Sequence, residues 1–593
     1  MIANRFRTAL LLVLALSLPL SLLAQAERTA YRPDVPGTQG LVTAGHPLAA
    51  TAGLRMLLLG GNAIDAAVAT LATLNVVRPQ MSGAGGNGFF TIYDSATHEV
   101  YSLNATGAAP MALDASLRNP DELAKGIYAG VVPGLFGGWV EALDRFGTMS
   151  LAEVLAPAIE YAENGHPIEA SVVDAIERGL EVFRGFPTSS AMFLQNGNPP
   201  APNTLVRRLD LARTFRKVAE TEQRALRQGK SRSEALRAAF DRFYRGDIAH
   251  EMARFYKEQG GLFTLEDFAA YEPIWAKPVH TNYRGYDVYS SPSTSRGGLE
   301  VVMQLNLVEP FDLRALGANT PETLHLVSEA IKLAKADIYA VVADPRKTDL
   351  PLDWLLSKER ARRSAKKIDP KRAMAYPKAD APYAPTDENV AAATERSRPG
   401  STDSFSIVDR FGNAVACTPT HGSAFGTGVV VGRTGLTFNN GTRIGSTAPY
   451  PEHVNYARGG QIPILNNSPV IVMKDGEVVL AIGTPGGETI GQTQFQVLLN
   501  ILDFGMSIQE AIEAPRISLV ADPSFYRAGA AITLRMENRF HEATVRSLQA
   551  LGHEVELIDA WALGSMQGIF RDLATGTWLA GADPRRVAYA VGY

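Results

Sequence analysis

The hydrophobic pattern of this chain changes from helical to β at Gly400, and this change limits the folds open to it. Before Gly400, apolar residues recur at helical spacing in residues 48–77 and 205–258. After Gly400, alternating polar and apolar residues and a hairpin signal at Asp475-Gly476 predict strands. Helical spacing then returns. Helices, hairpins and helices in this order predict a layered structure in which sheets are enclosed by helices.

The individual elements follow from the same patterns. The helix at residues 63–75 comes after Gly60-Gly61-Asn62, and small and bulky apolar residues cover most of its surface, so we expect it to be buried nearly all round. Residues 369–399, rich in proline, alanine and charge, indicate an exposed, flexible segment. After it, strands are expected at residues 404–409, 414–420, 470–474 and 477–482, and helices at 492–502, 507–514 and 536–551.

A glycine run at residues 82–88 separates the buried helix from a predicted strand at residues 89–93. A nucleotide-binding glycine loop should follow a strand and open a helix, and here the order is reversed. The run therefore indicates close backbone packing beside a site.

Composition excludes several classes of function. The chain has 593 residues, of which 46% are hydrophobic and 20% charged, and its net charge is −4. That balance is typical of a globular protein and gives no basic surface for nucleic acid. The single cysteine, Cys417, excludes an intramolecular disulfide framework and a multi-cysteine metal site. The 10 histidines are scattered, so we expect neither a metal nor a cofactor.

The N-terminus has the features of a secretory signal. Arg5 and Arg7 precede an apolar run at residues 9–24, which closes with Ala24-Gln25-Ala26. The run is shorter than the roughly 20 residues that span a bilayer, and no other segment is long and apolar enough to do so. We expect cleavage after Ala26, export to the periplasm or the outside, and no stable membrane insertion. An uncleaved anchor is the alternative.

Common catalytic patterns are absent: there is no His-Glu-x-x-His, no Gly-x-Ser-x-Gly elbow and no Walker loop. What remains is Ser401-Thr402, which a flexible segment delivers to the start of a strand. Serine and threonine at a loop–strand junction are common, so this pair gains meaning only from its context.

That context resembles the gamma-glutamyltransferase family of N-terminal-nucleophile hydrolases, over nearly the whole chain after residue 26. The matching blocks are residues 60–67, 132–134, 283–286, 329–332, 402–409, 412–416, 425–428, 483–487 and 582–585. The resemblance implies an α+β fold, a four-layer αββα sandwich. It also implies that the precursor cuts itself between Ser401 and Thr402, giving a large subunit of residues 27–401 and a small subunit of residues 402–593.

The resemblance also assigns catalytic roles to particular residues. Thr402 is the implied nucleophile, and the cut frees its α-amine, whose usual pKa of about 8 suits a base at working pH. Thr420 matches a second threonine that orients the nucleophile, although a β-branched strand residue is the ordinary alternative. Gly486 and Gly487 match the pair whose N–H groups face the oxyanion, and a tight turn explains them equally well.

The resemblance breaks at the substrate clamp. The family's arginine for the substrate α-carboxylate is replaced by Thr106, and its aspartate for the α-amine by Ile444. A clamp glutamine is replaced by Gly441 and an asparagine by Gly422, and a Ser-Ser pair that touches the carboxylate aligns with Leu465-Asn466. Other polar residues offer substitute contacts: His421, Asn440, Arg443, Asn466 and Asn467. Arg443 is the best candidate for an acidic acyl tail, and an ordinary surface-loop arginine is the alternative.

These residues predict a self-processing amidohydrolase with altered acyl specificity, acting on a small-molecule amide. Two alternatives stay open. One is a true gamma-glutamyltransferase or glutathione hydrolase whose clamp is rebuilt from other residues, and the other is an unprocessed, inactive binding protein.

Overall fold

The protein is described here by a computed structural model that covers residues 30–382, residue 396 and residues 400–593. The predicted secretory signal at residues 1–26 lies outside these described residues, as do residues 383–395 and 397–399 of the predicted flexible segment.

The strands of the described residues are numbered in chain order. They are β1 Val35–Gly37, β2 Gly40–Ala44, β3 Asn87–Asp94, β4 Glu99–Ala105, β5 His166–Pro167, β6 Leu205–Val206, β7 Ile274–Ala276, β8 Val279–Tyr283, β9 Tyr286–Ser290, β10 Ser401–Thr402, β11 Phe405–Asp409, β12 Ala414–Gly422, β13 Val470–Lys474, β14 Glu477–Gly483, β15 Ile517–Asp522, β16 Ala531–Glu537, β17 Glu554–Ile558, β18 Gln567–Arg571, β19 Trp578–Ala582 and β20 Tyr589–Gly592.

The α-helices are numbered in the same way. They are α1 Pro47–Leu58, α2 Ala63–Val77, α3 Pro120–Ala124, α4 Leu135–Phe146, α5 Leu151–Asn164, α6 Ala170–Arg178, α7 Leu180–Gly185, α8 Pro187–Phe193, α9 Leu209–Arg227, α10 Arg232–Tyr244, α11 Asp247–Glu258, α12 Leu265–Ala269, α13 Arg296–Val308, α14 Leu313–Leu316, α15 Pro321–Val341, α16 Leu352–Leu356, α17 Lys358–Ala365, α18 Ile490–Leu502, α19 Ile508–Glu513 and α20 Glu542–Ala550.

Two large antiparallel sheets form the centre of the molecule. The first has the strand order β1-β19-β18-β14-β13-β9-β8, and the second has the order β20-β2-β11-β12-β3-β4-β7 with β10 pairing to β12. Alternate residues of each strand point to opposite faces, so each sheet contributes one apolar face to a core between the sheets and another to the helices outside. Leu41 and Val408 of the second sheet meet Ile471 and Ala481 of the first in the inner core.

The outer faces of the sheets are covered by two groups of helices. Helices α1, α2, α4, α5 and α9–α11 pack on the second sheet. Helices α13, α15, α18 and α19 pack on the first. The predicted four-layer αββα sandwich is therefore confirmed. No helix among the described residues combines the length and the apolar character that crossing a membrane requires.

Several predicted elements differ from the structure at their edges. The helix expected at residues 536–551 begins only at Glu542, after an N-cap at His541. The residues before it form β16, because Leu534 and Met536 alternate into the core and the strand pairs with both β15 and β17. Residues 369–382 contain no helix or strand, yet Tyr376 is buried and its hydroxyl donates to the Phe525 carbonyl over 3.0 Å. This part of the predicted exposed segment is therefore attached to the core.

Helix α2 confirms its prediction, since each of its residues is buried. Its start is held by Asp65, which accepts from the Asn62 N–H in a capping box and from the N–H groups of Thr148 and Met149, all over 2.9 Å. The Thr148 hydroxyl donates to the same carboxylate over 2.6 Å. One buried carboxylate thus joins the first turn of α2 to the segment that leads into α5.

Replacing Asp65 tests this junction. Asp65→Ala leaves several buried donors without an acceptor, so we expect a loss of about 3 kcal/mol in the free energy of unfolding. The measurement is the midpoint of urea unfolding. Asp174→Ala, at an exposed position of α6, is the matched control and should change stability by less than about 0.5 kcal/mol. Equal midpoints for the two variants would show that Asp65 does not stabilise the junction.

Candidate active site

Thr402 lies on the short strand β10, directly opposite Thr420 of β12. The Thr402 hydroxyl donates a hydrogen bond to Thr420 Oγ1 over 3.0 Å. The Thr420 hydroxyl donates to the carbonyl oxygen of Ser401 over 2.5 Å and accepts from the Gly422 N–H over 2.9 Å. Thr402 is 3% exposed and Thr420 is 2% exposed. The predicted nucleophile, the predicted orienting hydroxyl and the Ser401–Thr402 peptide bond therefore form one continuous hydrogen-bonded chain.

Gly486 and Gly487 follow β14, and Gly487 lies against the backbone of Gly400, two residues before Thr402. Their φ angles are 147° and 61°, a region that residues with a Cβ avoid. A Cβ on Gly487 would lie 3.1 Å from the backbone nitrogen of Gly400 and 3.2 Å from its Cα. Glycine is therefore required at residue 487 for this turn to approach the backbone of Gly400 so closely.

The glycine run at residues 82–88 packs against the end of β12. A Cβ on Gly86 would lie 2.7 Å from the Thr420 carbonyl oxygen, and one on Gly83 would lie 2.5 Å from Nε2 of His421. The predicted close backbone packing is therefore present, and it is next to Thr420. His421 itself is buried, and burial together with the charge of Lys125 lowers its pKa to about 3, so its imidazole is neutral near pH 7.

A buried ion pair holds the backbone just after Thr402. Nη1 of Arg78 lies 3.5 Å from Oδ2 of Asp403 and donates to the Gly45 carbonyl oxygen over 2.6 Å. The N–H of Asp403 donates to the Pro419 carbonyl oxygen over 2.9 Å. Burial raises the pKa of Asp403, and the charge of Arg78 opposes that shift. The sequence offered no signal for this pair, because Arg78 is far from Asp403 along the chain.

Two predicted substrate contacts are engaged within the protein. The Asn440 amide is fully buried, and it donates to the Ala124 carbonyl oxygen over 2.7 Å and to Ser423 Oγ over 2.6 Å. Its oxygen accepts from the Ser423 N–H over 2.8 Å. The oxygen of Asn466 accepts from Nε of Arg296 over 2.8 Å. Asn440 therefore anchors a loop through both ends of its amide.

The alternative interpretation of Arg443 as an ordinary surface-loop arginine is wrong, because the residue is only 5% exposed. Its Nη2 donates to the Gly422 carbonyl oxygen over 3.4 Å, two residues after Thr420. Burial lowers its pKa to about 10, a shift that Glu488 opposes and Arg296 reinforces. Ile444, beside it, is 6% exposed.

Lys125 is a second cation at the same loop that the sequence did not reveal. Its Nζ donates to the carbonyl oxygens of Ala424 and Gly426 over 2.6 Å and 2.7 Å. Burial and the nearby charge of Arg443 lower its pKa to about 8. A lone lysine after a short helix carries no sequence signal, so only the packing of residues 422–426 identifies it.

Thr106 lies on the other side of Thr420, just past the end of β4. It is 1% exposed, and its N–H donates to Oδ1 of Asn104 over 3.0 Å. It also forms part of the wall of a cavity of about 570 Å³, together with Ala108, Ala109 and Val132. Between Thr106 and Thr420 lies Asn87 of β3, which sequence reasoning did not single out.

A separate group of potential metal ligands consists of His325, Glu329 and His553, whose ligand atoms lie within 4.8 Å of one another. Nδ1 of His325 and Nε2 of His553 are 2.8 Å apart, in a direct hydrogen bond. Lys332 donates to Oε1 of Glu329 over 2.7 Å. The ammonium group already supplies the positive charge that this carboxylate requires, so these residues form a buried polar network.

Comparison with solved structures identifies the class of fold. A cephalosporin acylase from Bacillus halodurans matches 95% of this chain with 97% of its own, at a TM-score of 0.80 and 29% identity. The αββα sandwich of this chain is accordingly that of the N-terminal-nucleophile hydrolases.

The sequence comparisons give the family. The family model described as gamma-glutamyltranspeptidase matches residues 49–593. The glutathione hydrolase proenzyme of Escherichia coli (strain K12) is 33% identical over 95% of this chain and 93% of that protein. The acylase ACY 1 proenzyme of Pseudomonas sp. (strain SE83) is 30% identical over 89% of each. The chain belongs to the gamma-glutamyltranspeptidase family, whose members are amidohydrolases of the N-terminal-nucleophile type.

Deleting the Thr420 hydroxyl tests the hydrogen-bonded chain. Thr420→Val keeps the shape of the side chain but removes the donor to the Ser401 carbonyl oxygen, and loss of one donor to a developing oxyanion costs about 10²–10³ in rate. We expect cleavage between Ser401 and Thr402 to slow by about a hundredfold, followed on gels after synthesis of the precursor.

Thr418→Val is the matched control. Thr418 lies two residues earlier on the same strand, and its buried hydroxyl has no hydrogen-bond partner among the described residues. This variant should cleave at the wild-type rate. Indistinguishable rates for Thr420→Val and Thr418→Val would contradict the role given to Thr420.

Proposed function

We propose that this chain is an exported, self-processing amidohydrolase whose nucleophile is the N-terminal threonine of a small subunit, residues 402–593. The large subunit would be residues 27–401, left after removal of a signal at residues 1–26. The observation that supports this most is the approach of the Thr402 hydroxyl to Thr420, whose own hydroxyl is bonded to the carbonyl of the residue before Thr402.

The proposed processing begins with attack of Thr402 Oγ on the carbonyl carbon of Ser401. The peptide C–N bond breaks as the ester C–O bond forms, and the proton of the hydroxyl passes to the departing nitrogen. The Thr420 hydroxyl, 2.5 Å from the Ser401 carbonyl oxygen, would stabilise negative charge on that oxygen. Water then hydrolyses the ester, which frees the Ser401 carboxylate and the α-amine of Thr402.

The mature enzyme would use the same hydroxyl on its substrate. The freed α-amine, with an ordinary pKa of about 8, accepts the hydroxyl proton as Thr402 attacks the amide carbonyl. His421 is an unsuitable base because its pKa is lowered to about 3 by burial and by Lys125. In this proposal the N–H groups of Gly486 and Gly487 stabilise the oxyanion, and water or an amine then releases the acyl group from Thr402.

The proposed acyl specificity differs from that of a γ-glutamyl enzyme. A charge-assisted hydrogen bond contributes roughly 1.5–3 kcal/mol, so a pocket with Thr106 and Ile444 at the clamp positions would lose about a hundredfold or more in γ-glutamyl recognition. Both side chains are buried, at 1% and 6% exposure, so a carboxylate and an ammonium brought there would be desolvated without a charged partner. Preferred substrates would be amides whose acyl group lacks the α-amino group.

Arg443 and Lys125 could still attract an acidic acyl tail, since both lie along residues 422–426. This is the second candidate for specificity: a dicarboxylic monoamide with its far carboxylate near these cations.

Processing is tested first. Wild-type protein should be recovered as two chains, the smaller beginning at Thr402, and Thr402→Ala should remain in one piece without activity. The measurement is intact mass together with N-terminal sequencing. Ser401→Ala keeps the nucleophile and is the matched control, so it should still be cleaved. An intact Ser401–Thr402 bond in active wild-type protein would overturn the proposed nucleophile.

Acyl specificity is tested with matched anilides. We expect kcat/KM for γ-glutamyl p-nitroanilide to be at least about tenfold below that for glutaryl p-nitroanilide, which differs only by the missing α-amino group. The double variant Thr106→Arg with Ile444→Asp restores both charges and should move the preference toward the γ-glutamyl compound. A wild-type preference for γ-glutamyl p-nitroanilide would favour a rebuilt glutamyl clamp instead.

A further inference from the structure

One row of side chains crosses the second sheet at the nucleophile. Thr402 pairs with Thr420, and Thr420 pairs with Asn87. The next pair in the register is Gly88 with Ala105, which places Thr106 opposite Asn87 where β4 ends. The N–H of Gly107 still reaches Oδ1 of Asn87 over 3.4 Å, so the two segments remain adjacent at this point.

Residues directly opposite one another in an antiparallel sheet share a face, with Cβ atoms about 5 Å apart. The face in question is the inner one. Thr91 lies four residues after Asn87 on β3, so the two side chains are on the same face of the sheet. The Thr91 hydroxyl donates to the carbonyl oxygen of Pro469, just before β13 of the first sheet. Asn104, two residues before Thr106, donates to Thr294 Oγ1 ahead of α13. Asn87 and Thr106 therefore face the same end of the cleft between the sheets as Thr420.

Both side chains carry an unused hydrogen-bonding group. Asn87 is 1% exposed and its Nδ2 has no partner among the described residues. Thr106 is also 1% exposed and its Oγ1 has no partner there. Two buried polar atoms left unsatisfied next to a candidate nucleophile cost free energy in the absence of a ligand, and a bound acceptor removes that cost.

The chemistry of this pair selects its ligand. An amide N–H₂ and a hydroxyl both donate and neither carries charge, and the two lone pairs of one carbonyl oxygen accept from two such donors on neighbouring strands. The nearby cavity adds Ala108, Ala109 and Val132. Its wall also holds three acids, Glu266, Asp267 and Glu272, and one cation, Arg346, which is already paired with Asp344 over 2.7 Å. Such surroundings disfavour a carboxylate and accept a short apolar continuation of the chain.

We propose that Asn87 and Thr106 are specificity-determining residues that bind an uncharged carbonyl oxygen on the acyl group of the substrate, a few bonds from the scissile amide. The inference rests on the proposed amidohydrolase function and narrows it. The substrate class is an N-acyl amide whose acyl chain carries a neutral second carbonyl, in place of the charged groups of a glutamyl residue.

The test compares three p-nitroanilides of similar length on the processed wild-type enzyme: 4-oxopentanoyl, pentanoyl and glutaryl. We expect kcat/KM for the 4-oxopentanoyl compound to exceed that of the pentanoyl compound about tenfold, the size of one or two neutral hydrogen bonds. It should also exceed that of the glutaryl compound. A preference for glutaryl would assign the acyl group to Arg443 and Lys125 and overturn the inference.

Variants assign the preference to the two side chains. Asn87→Leu and Thr106→Val keep approximate shape and remove the donors, so each should reduce the ratio of 4-oxopentanoyl to pentanoyl kcat/KM toward one. Asn538→Leu, at an exposed position after β16, is the matched control and should keep the wild-type ratio. A tenfold ratio that survives both donor variants would exclude this pair, and a global loss of structure would lower both rates without changing their ratio.

Failure of the inference is distinct from failure of the proposed function. Cleavage of all three anilides with equal kcat/KM would overturn the specificity role of Asn87 and Thr106, but it would agree with the proposed amidohydrolase function. If no anilide is cleaved, the affinities of 4-oxopentanamide and pentanamide, measured by calorimetry, test the pair without catalysis. Tighter binding of 4-oxopentanamide that Asn87→Leu abolishes would support it, and equal binding would overturn it.

Discussion

The pairing of β12 with its neighbours is the constraint on which the candidate site depends. Strand β12 pairs with β10 and β11 on one side and with β3 on the other. This register sets Thr402, Thr420 and Asn87 in one row. A shift of one residue would turn each of these side chains to the opposite face. The apolar alternation of β11 opposes such a shift, because it places Phe405 and Ile407 under the helices and Val408 between the sheets. The packing of the core thus keeps Thr402, Thr420 and Asn87 on one face of the sheet.

The surroundings of Thr402 favour a nucleophile without a histidine partner. The imidazole at His421 is buried and neutral, and the carboxylate at Asp403 is committed to Arg78. What contacts the Thr402 hydroxyl is another hydroxyl, that of Thr420, which is also bonded to the carbonyl of Ser401. In the proposed processing, the same two bonds would serve the precursor and the mature enzyme, because a substrate carbonyl would take the place of the Ser401 carbonyl after cleavage. The close turn at Gly487 would serve both proposed states for the same reason.

The two sides of Thr420 differ in charge, and this difference divides the ways in which an acyl group could be recognised. Toward Gly422 lie the cations of Arg443 and Lys125. Toward β4 lie the neutral donors of Asn87 and Thr106. The positions at which the resemblance places the glutamyl clamp hold the uncharged Thr106 and Ile444. Family membership therefore defines the reaction type more firmly than it defines the acyl group.

The sequence by itself determined the elements whose patterns are local. Helix α2 and the hairpin of β13 and β14 follow from spacing and turn chemistry. The family resemblance of the motif blocks named Thr402, Thr420 and the glycine pair as candidates. Local pattern and tertiary context disagree at Met536 and Glu537, where the sequence predicts a helix and pairing with β15 and β17 makes the two residues part of β16. Only the tertiary structure decided that Arg443 is buried, that Asn440 anchors a loop, and that Asn87 stands between Thr420 and Thr106. The reason is physical: these facts depend on the register and packing of segments far apart in the chain, and single-residue chemistry carries no information about either.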